Sequence, residues 1–249
     1  MWYELLKMSL QGMNIGLAGD VESSGEENVC RMLAESGKIK TIFDVGANVG
    51  EYAKILKKYF DTAKIYCFEP AKETFRILKD NVGEAENVIL NNMGFSDKAG
   101  WDTLYYDTEA SGLASLYKRQ LDYINIDLAK SEEVQIETLD RYCVENDIQE
   151  IDFLKMDIEG NELNALEGGK NLLREKRIGV IQIEFGGCNI DSRTFFRDFW
   201  NLLHEEYDVY RILKNGLWKI QRYSERLECF TTTNYLFVRK ELKEWISDL

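Results

Sequence analysis

The chain has 249 residues, 45% hydrophobic and 12% aromatic, with 31 basic and 44 acidic side chains and a net charge of −13. That length and composition suit one α/β domain with a sizeable core. An acidic chain with no block of basic residues argues against a protein that tracks nucleic-acid phosphates or lies on an anionic membrane; a small ligand in a local pocket is compatible with it.

Residues 1–37 read as two helices, the second opened by a capping-box-like Ser24-Gly-Glu-Glu27 and ending near Gly37. The start, MWYELLKMSL, lacks the basic-then-apolar layout of a signal peptide. No apolar run reaches the ~20 residues of a membrane helix. From residue 40 strands and helices alternate: strand 41–45, helix 50–60, strand 64–69, helix 71–82, strand 88–92. Residues 94–130 break the pattern with strand-like and turn-like pieces. It resumes with a helix at 138–146, a strand at 151–157, a helix at 161–174, a strand at 178–184 and a helix at 192–204. A hairpin around Asn215-Gly216 and a strand at 233–239 complete it. The single proline, Pro70, marks no domain boundary. Cys30, Cys67, Cys143, Cys188 and Cys229 form no CxxC pair and read as buried reduced thiols, which places the expected compartment in the cytoplasm.

Apolar strands alternating with amphipathic helices predict a mostly parallel sheet covered on both faces, with ligands beyond the carboxyl ends of the strands. Five polar residues end those strands: Asp44, Glu69, Asn92, Asp157 and Glu184. The loop DVGANVG carries Gly46, Asn48 and Gly50. It lacks the third glycine of the dinucleotide fingerprint and the Lys-Ser/Thr of a P-loop. Gly46 permits close backbone approach, the following helix N-terminus suits a carboxylate, and Asp44 offers an acceptor for an ammonium group. Glu69, at the end of the next strand, is placed to bind a ribose diol. An amino acid at one end and a ribose at the other describe S-adenosylmethionine.

DVGANVGEYA, CFEP, LNNMGFSD, SGLASL, IETLD, LKMDIEGNELNALEGG and IQIEF, in that order, resemble the FkbM family of S-adenosylmethionine-dependent methyltransferases over roughly residues 40–240. LKMDIEGNE is the most distinctive piece. The resemblance implies a Rossmann-like class I methyltransferase fold, a seven-stranded mostly parallel sheet, over 38–249. Residues 1–37 lie outside it as a helical extension. It also implies O-methylation of a sugar or another hydroxylated metabolite, such as a sugar nucleotide of polysaccharide biosynthesis. Asn48 departs from the middle glycine common in the broader class, in the form usual for this family.

An alcohol acceptor must lose a proton. The one histidine, His204, sits in an amphipathic helix far from every strand end, so the base is sought among Asp157, Glu184 and Lys155. Lys155, inside an apolar strand, needs a charged partner. Glu159 and Glu162 follow Asp157, where charge complementarity at a helix start would account for both; Glu159 is also a substrate-binding candidate. Asp157 and Glu184 could hold Mg²⁺ or Mn²⁺, although two ligands do not make a site. Tyr106, Ser111 and Ser115 in the 94–130 insertion are candidates for binding a hydroxylated acceptor, with hairpin packing as the plainer reading. A homo-oligomer is compatible with the chain. The rival readings are a nicotinamide-dependent oxidoreductase, which the missing glycine opposes, and a non-catalytic scaffold, which the intact rim acids oppose.

Overall fold

The structure is a computed structural model, and it describes residues 1–16 and 24–246. Helix α1 (Trp2–Gly12) buries none of its residues. Helix α2 (Glu26–Glu35) buries Val29, Cys30, Met32 and Leu33. The expected capping box does not form. Gly25 is the N-cap, while Ser24 Oγ accepts from the Glu26 N–H at 3.4 Å and donates to the Glu26 carboxylate at 2.7 Å.

The alternation follows: β1 (Thr41–Val45), α3 (Glu51–Tyr59), β2 (Lys64–Phe68), α4 (Lys72–Val82) and β3 (Val88–Asn91). The insertion supplies β4 (Gly94–Phe95), β5 (Gly100–Tyr106) and β6 (Lys130–Glu137). Then come α5 (Leu139–Glu145), β7 (Ile151–Met156), α6 (Glu162–Glu167), α7 (Lys170–Arg174) and β8 (Ile178–Phe185). The chain continues through α8 (Cys188–Ser192), α9 (Phe196–Leu203), β9 (Tyr207–Leu213), β10 (Gly216–Ile220) and β11 (Thr233–Arg239). The helix expected over 161–174 is two, broken at Gly168-Gly169, because the Asp140 carboxylate takes the Asn171 and Leu172 N–H groups and starts α7 afresh. The helix expected over 192–204 starts only at Phe196, because Ser192 ends the separate short helix α8 and Arg193 is left-handed.

The main sheet has the order β10-β9-β11-β8-β7-β1-β2-β3. Strands β3, β2, β1, β7 and β8 are mutually parallel, and β11 runs antiparallel between β8 and β9. The sheet has eight strands where the resemblance implied seven; β10, the outer arm of the expected hairpin with β9, adds the eighth at the edge. Apolar side chains alternate between the two faces, as a buried parallel sheet requires. Phe43, Phe68, Phe95 and Tyr142 stack on one face, with Phe68 and Tyr142 rings 4.9 Å apart edge to face. Ile42, Leu56, Phe153 and Val180 pack on the other. Four of the five cysteines are buried, Cys229 is partly so, and all are free. A second sheet, β4-β6-β5, stands over the carboxyl ends of the strands. No helix among the described residues is long and apolar enough to cross a membrane.

Candidate active site

The glycine loop leaves β1 at the point where two backbones meet. Gly46 has φ +80°, and a Cβ there would sit 1.9 Å from the Asp157 carbonyl oxygen, so only glycine lets the ends of β1 and β7 touch. The close approach expected at Gly46 is therefore to the protein's own backbone. Asn48 (φ +46°) accepts from the Val49 N–H at 2.7 Å and donates Nδ2 to the Ser111 carbonyl at 3.1 Å. Asparagine tolerates this left-handed geometry, and its amide ties the loop to the insertion in a way that a glycine cannot. Gly50 (φ +92°) lies where a Cβ would come within 2.9 Å of Leu78 and Val82, so it lets α3 pack on α4.

Glu69 follows β2 and is 6% exposed. Its two oxygens accept the Asn48 N–H at 3.0 Å and the Ala71 N–H at 2.9 Å, one each, which leaves acceptor capacity on both. Burial pushes its carboxyl up to about 7, against the pull of those two bonds. Asn92 was expected to touch the ligand. Its Nδ2 donates instead to the Glu69 and Pro70 carbonyls at 2.8 and 2.9 Å, so it holds the Glu69 turn from behind and does not line the cavity.

The cavity between the two sheets has a volume of about 120 Å³. Glu69, Asp157 and Glu159 supply its charge, Pro70, Phe95, Leu104 and Ile136 its apolar wall, and no Lys, Arg or His among the described residues lines it. Beside it, single carboxylate oxygens of Asp157, Glu159 and Glu184 lie within 4.8 Å of one another. Glu159 (φ +51°) forms an ion pair with Arg119, a side chain only 7% exposed, whose Nε lies 3.6 Å from Asp191. Glu184 is pushed well above the carboxylate range by burial and then by Asp157 and Glu159. Burial and then Asp157 push Glu159 up as well, to about 8, against the pull of the Arg119 guanidinium, so Glu184, which has no such cation beside it among the described residues, is the more readily protonated of the two. Glu162 is fully buried, accepts the Ile158 and Gly160 N–H groups at 2.9 and 3.2 Å, and is pushed up by burial to about 7. It shapes the turn from β7 into α6, which is more than charge complementarity alone.

One layer below lies a different arrangement. Asp44, Lys155 and Gln182 are in register across β1, β7 and β8. Asp44 was expected to meet a ligand's ammonium group; it is 0% exposed and 3.4 Å from the Lys155 ammonium, which is also 3.7 Å from Asp157. Burial alone would lower the Lys155 pKa, but Asp44 and Asp157 outweigh it and hold the ammonium charged. The Tyr52 ring covers Lys155 at 5.0 Å, its hydroxyl donates to Gln182 Oε1 at 3.3 Å, and Gln182 Nε2 donates to Glu26 at 2.7 Å. Helix α2 thus closes this buried row.

A family model described as the methyltransferase FkbM domain matches residues 44–212, more than half of the chain. The chain belongs to the FkbM methyltransferase family. It is similar to 2-O-methyltransferase NoeI of Sinorhizobium fredii, with 27% identity over 145 residues, 55% of this chain and 60% of that protein. It is similar also to hexuronic acid methyltransferase AglP of Haloferax volcanii, with 25% identity over 166 residues, 65% and 64% of the two chains. The chain therefore spans less than two thirds of the length of these relatives. An O-methyltransferase from Bacillus cereus in complex with SAH aligns at a TM-score of 0.50 over 95% of this chain and 90% of that one, at 13% identity; the two share the class I methyltransferase fold.

In this FkbM-family chain the insertion is pinned to the rim. Ser111 lines the cavity, with its hydroxyl donating to Asp107 at 2.5 Å. Ser115 is 1% exposed and donates to the Glu159 carbonyl at 2.8 Å, so its role is to anchor rather than to meet an acceptor. Tyr106 lies under the Lys130 ammonium at 5.8 Å, outside the cavity lining; Leu104, two residues earlier on β5, is the one that points in. His204 stacks on Trp200 with Nδ1 2.7 Å from the Trp200 carbonyl, apart from the site. Arg119 was missed in the sequence.

Proposed function

We propose that this chain is an S-adenosylmethionine-dependent O-methyltransferase acting on a hydroxyl of a small carbohydrate, a sugar or sugar nucleotide. The observation that carries the reading is the cavity at the strand ends, walled by carboxylates on one side and apolar groups on the other, with the Asp157–Glu159–Glu184 cluster beside it. A wall of that kind suits a cationic ligand with a diol and an aromatic base. Family membership supports methyl transfer, and the relative named for hexuronic acid supports a carbohydrate acceptor. Glu69 would hold a ribose diol, and the 46–50 loop the amino-acid end. The cofactor, when bound, supplies an electrophilic methyl group on a sulfonium.

What remains for the protein is to position the acceptor oxygen and take its proton. Glu184, with its raised pKa, is the stronger base of the cluster once ionised, and Asp157, at the end of β7, orients the hydroxyl. The proposed division keeps residues 1–37 as an extension and 38–249 as the catalytic domain. A second reading treats the three carboxyl groups as ligands for Mg²⁺ or Mn²⁺, because hard cations take all-oxygen sites, three such oxygens are gathered here, and an ion would displace the shared proton. Calorimetry with S-adenosylmethionine, followed by mass spectrometry of sugar nucleotides for gain of one methyl group, tests the activity. Absence of both binding and transfer overturns it. Loss of turnover in EDTA with recovery on Mg²⁺ selects the metal reading, and indifference to EDTA selects the carboxylate base.

A further inference from the structure

At the β10 edge of the sheet, Arg211 stands in cross-strand register with Trp218 on β10 and Tyr235 on β11. Its guanidinium carbon lies 5.3 Å from each ring centroid, and the residue is 1% exposed. Nη2 donates to the Tyr235 hydroxyl at 2.8 Å, whereas Nε is buried without a hydrogen-bond partner. Two ring faces offset part of the cost of burying a cation but leave its donor capacity unfilled. Arg211 forms one wall of a groove of about 700 Å³ between α1 and the β9–β10 hairpin, within the size range of small-molecule sites. Leu10, Met13, Ile220 and Leu227 make its apolar lining. Lys219, Arg222 and Arg226 make its charged lining, and no Asp or Glu among the described residues joins them. In a chain with a net charge of −13 this is the reverse of the average surface. Lys219 is paired with Asp208 at 2.7 Å, but no carboxylate among the described residues pairs with Arg211, Arg222 or Arg226. Glu228, the acid close by, is held by the Phe196 and Arg197 N–H groups and the Tyr223 hydroxyl.

We propose that this groove binds an anionic amphiphile, a phosphate head on an aliphatic chain. The head meets Arg222 and Arg226 at the wall charged by the Arg211 guanidinium, since three guanidinium groups suit a head of up to two charges. The chain covers Leu10, Met13 and Ile220 and shields the side of α1 that faces the groove. This inference is independent of the methyl-transfer reading.

Calorimetry with dodecyl phosphate, kept below its micelle concentration, tests it on the full chain. The expected result is saturable binding of one molecule per chain, weakened at least tenfold in Arg222→Glu/Arg226→Glu and in Leu10→Asp, two surface variants chosen to keep the fold, and in Arg211→Met. Inorganic phosphate and dodecyltrimethylammonium are expected to bind at least tenfold more weakly than dodecyl phosphate. Equal binding of the cationic amphiphile shows general adhesion to apolar surface and overturns the proposal. Equal binding of inorganic phosphate shows an adventitious anion only and does the same. So does unchanged affinity in the folded Arg222→Glu/Arg226→Glu variant, or no binding of dodecyl phosphate at all.

Discussion

Two layers of acidic residues lie one above the other at the ends of β1, β7 and β8, and they differ in what answers their charge. In the lower layer Asp44 has the Lys155 ammonium at 3.4 Å, and Tyr52, Gln182 and Glu26 extend the row into α2. In the upper layer Asp157, Glu159 and Glu184 converge within 4.8 Å; Arg119 pairs with Glu159 and Lys155 reaches Asp157 at 3.7 Å, but no ion pair among the described residues answers Glu184. Similar side chains, one step apart on the same strands, are a structural ion pair below and an unfinished site above. The difference teaches that compensation, more than residue type, separates structure from chemistry in this fold.

The largest expected effect breaks the lower layer. Lys155→Met strands Asp44 as a buried unpaired charge and should cost about 3–5 kcal/mol in urea denaturation. Adding Asp44→Asn should restore much of it. A Lys155→Met protein as stable as wild type would show that Asp44 is neutral. Next comes the upper layer: Asp157→Asn should lower kcat by about 10²-fold or more while the protein stays folded. Glu184→Gln should also depress kcat and abolish the rise of activity with pH that accompanies loss of the Glu184 proton; a mutant that keeps the wild-type profile removes Glu184 from the role of base.

Smaller is the effect at the cavity wall. Glu69→Gln removes a carboxylate from hydrogen bonding and should weaken S-adenosylmethionine binding by about 1–3 kcal/mol in calorimetry; equal affinity would dissociate Glu69 from the cofactor. The smallest effect per pH unit sharpens the contrast through stability alone. Glu69 and Glu162 are raised from 4.5 to about 7. Their protonated forms therefore add stability that is full below about pH 4.5 and is lost as pH rises through 7, on the order of 1 kcal/mol per pH unit per group. Lys155 is raised above its ordinary range, so its contribution is constant there. The melting temperature measured without added cofactor should fall from pH 6 to 8, and less steeply in Glu69→Gln.

The strand and helix order was legible in the sequence because apolar periodicity reports burial directly. The rim acids were legible because a strand must end where its polar residues begin. Burial of Asp44 was not legible: it lies one residue from the strand end, and only the register of β1 against β7 reveals Lys155 opposite it. Yet a lysine within an apolar strand did announce a buried partner, and the same logic applied to Arg211 in YDVYRIL would have flagged the β10 edge. Arg119 left no comparable trace, since its burial depends on how the insertion folds over the rim. Tyr106 and Ser115 were chosen for their chemistry; Leu104 and Tyr106 share a face of β5, and it is position along the strand that puts Leu104 over the cavity and Tyr106 beyond it.

The insertion also sets a tempo. Asn48 to Ser111, Ser115 to the Glu159 carbonyl and Arg119 to the Glu159 carboxylate fasten it over a space of about 120 Å³, below the ~300–1,000 Å³ of ligand pockets. A ligand the size of a nucleoside should enter as these bonds let go, on the microsecond-to-millisecond scale of lid motions. Association should then be gated, slower than the ~10⁵–10⁷ M⁻¹s⁻¹ of ungated encounters, and nearly indifferent to solvent viscosity. Loosening the cover with Asn48→Gly should quicken arrival and departure together.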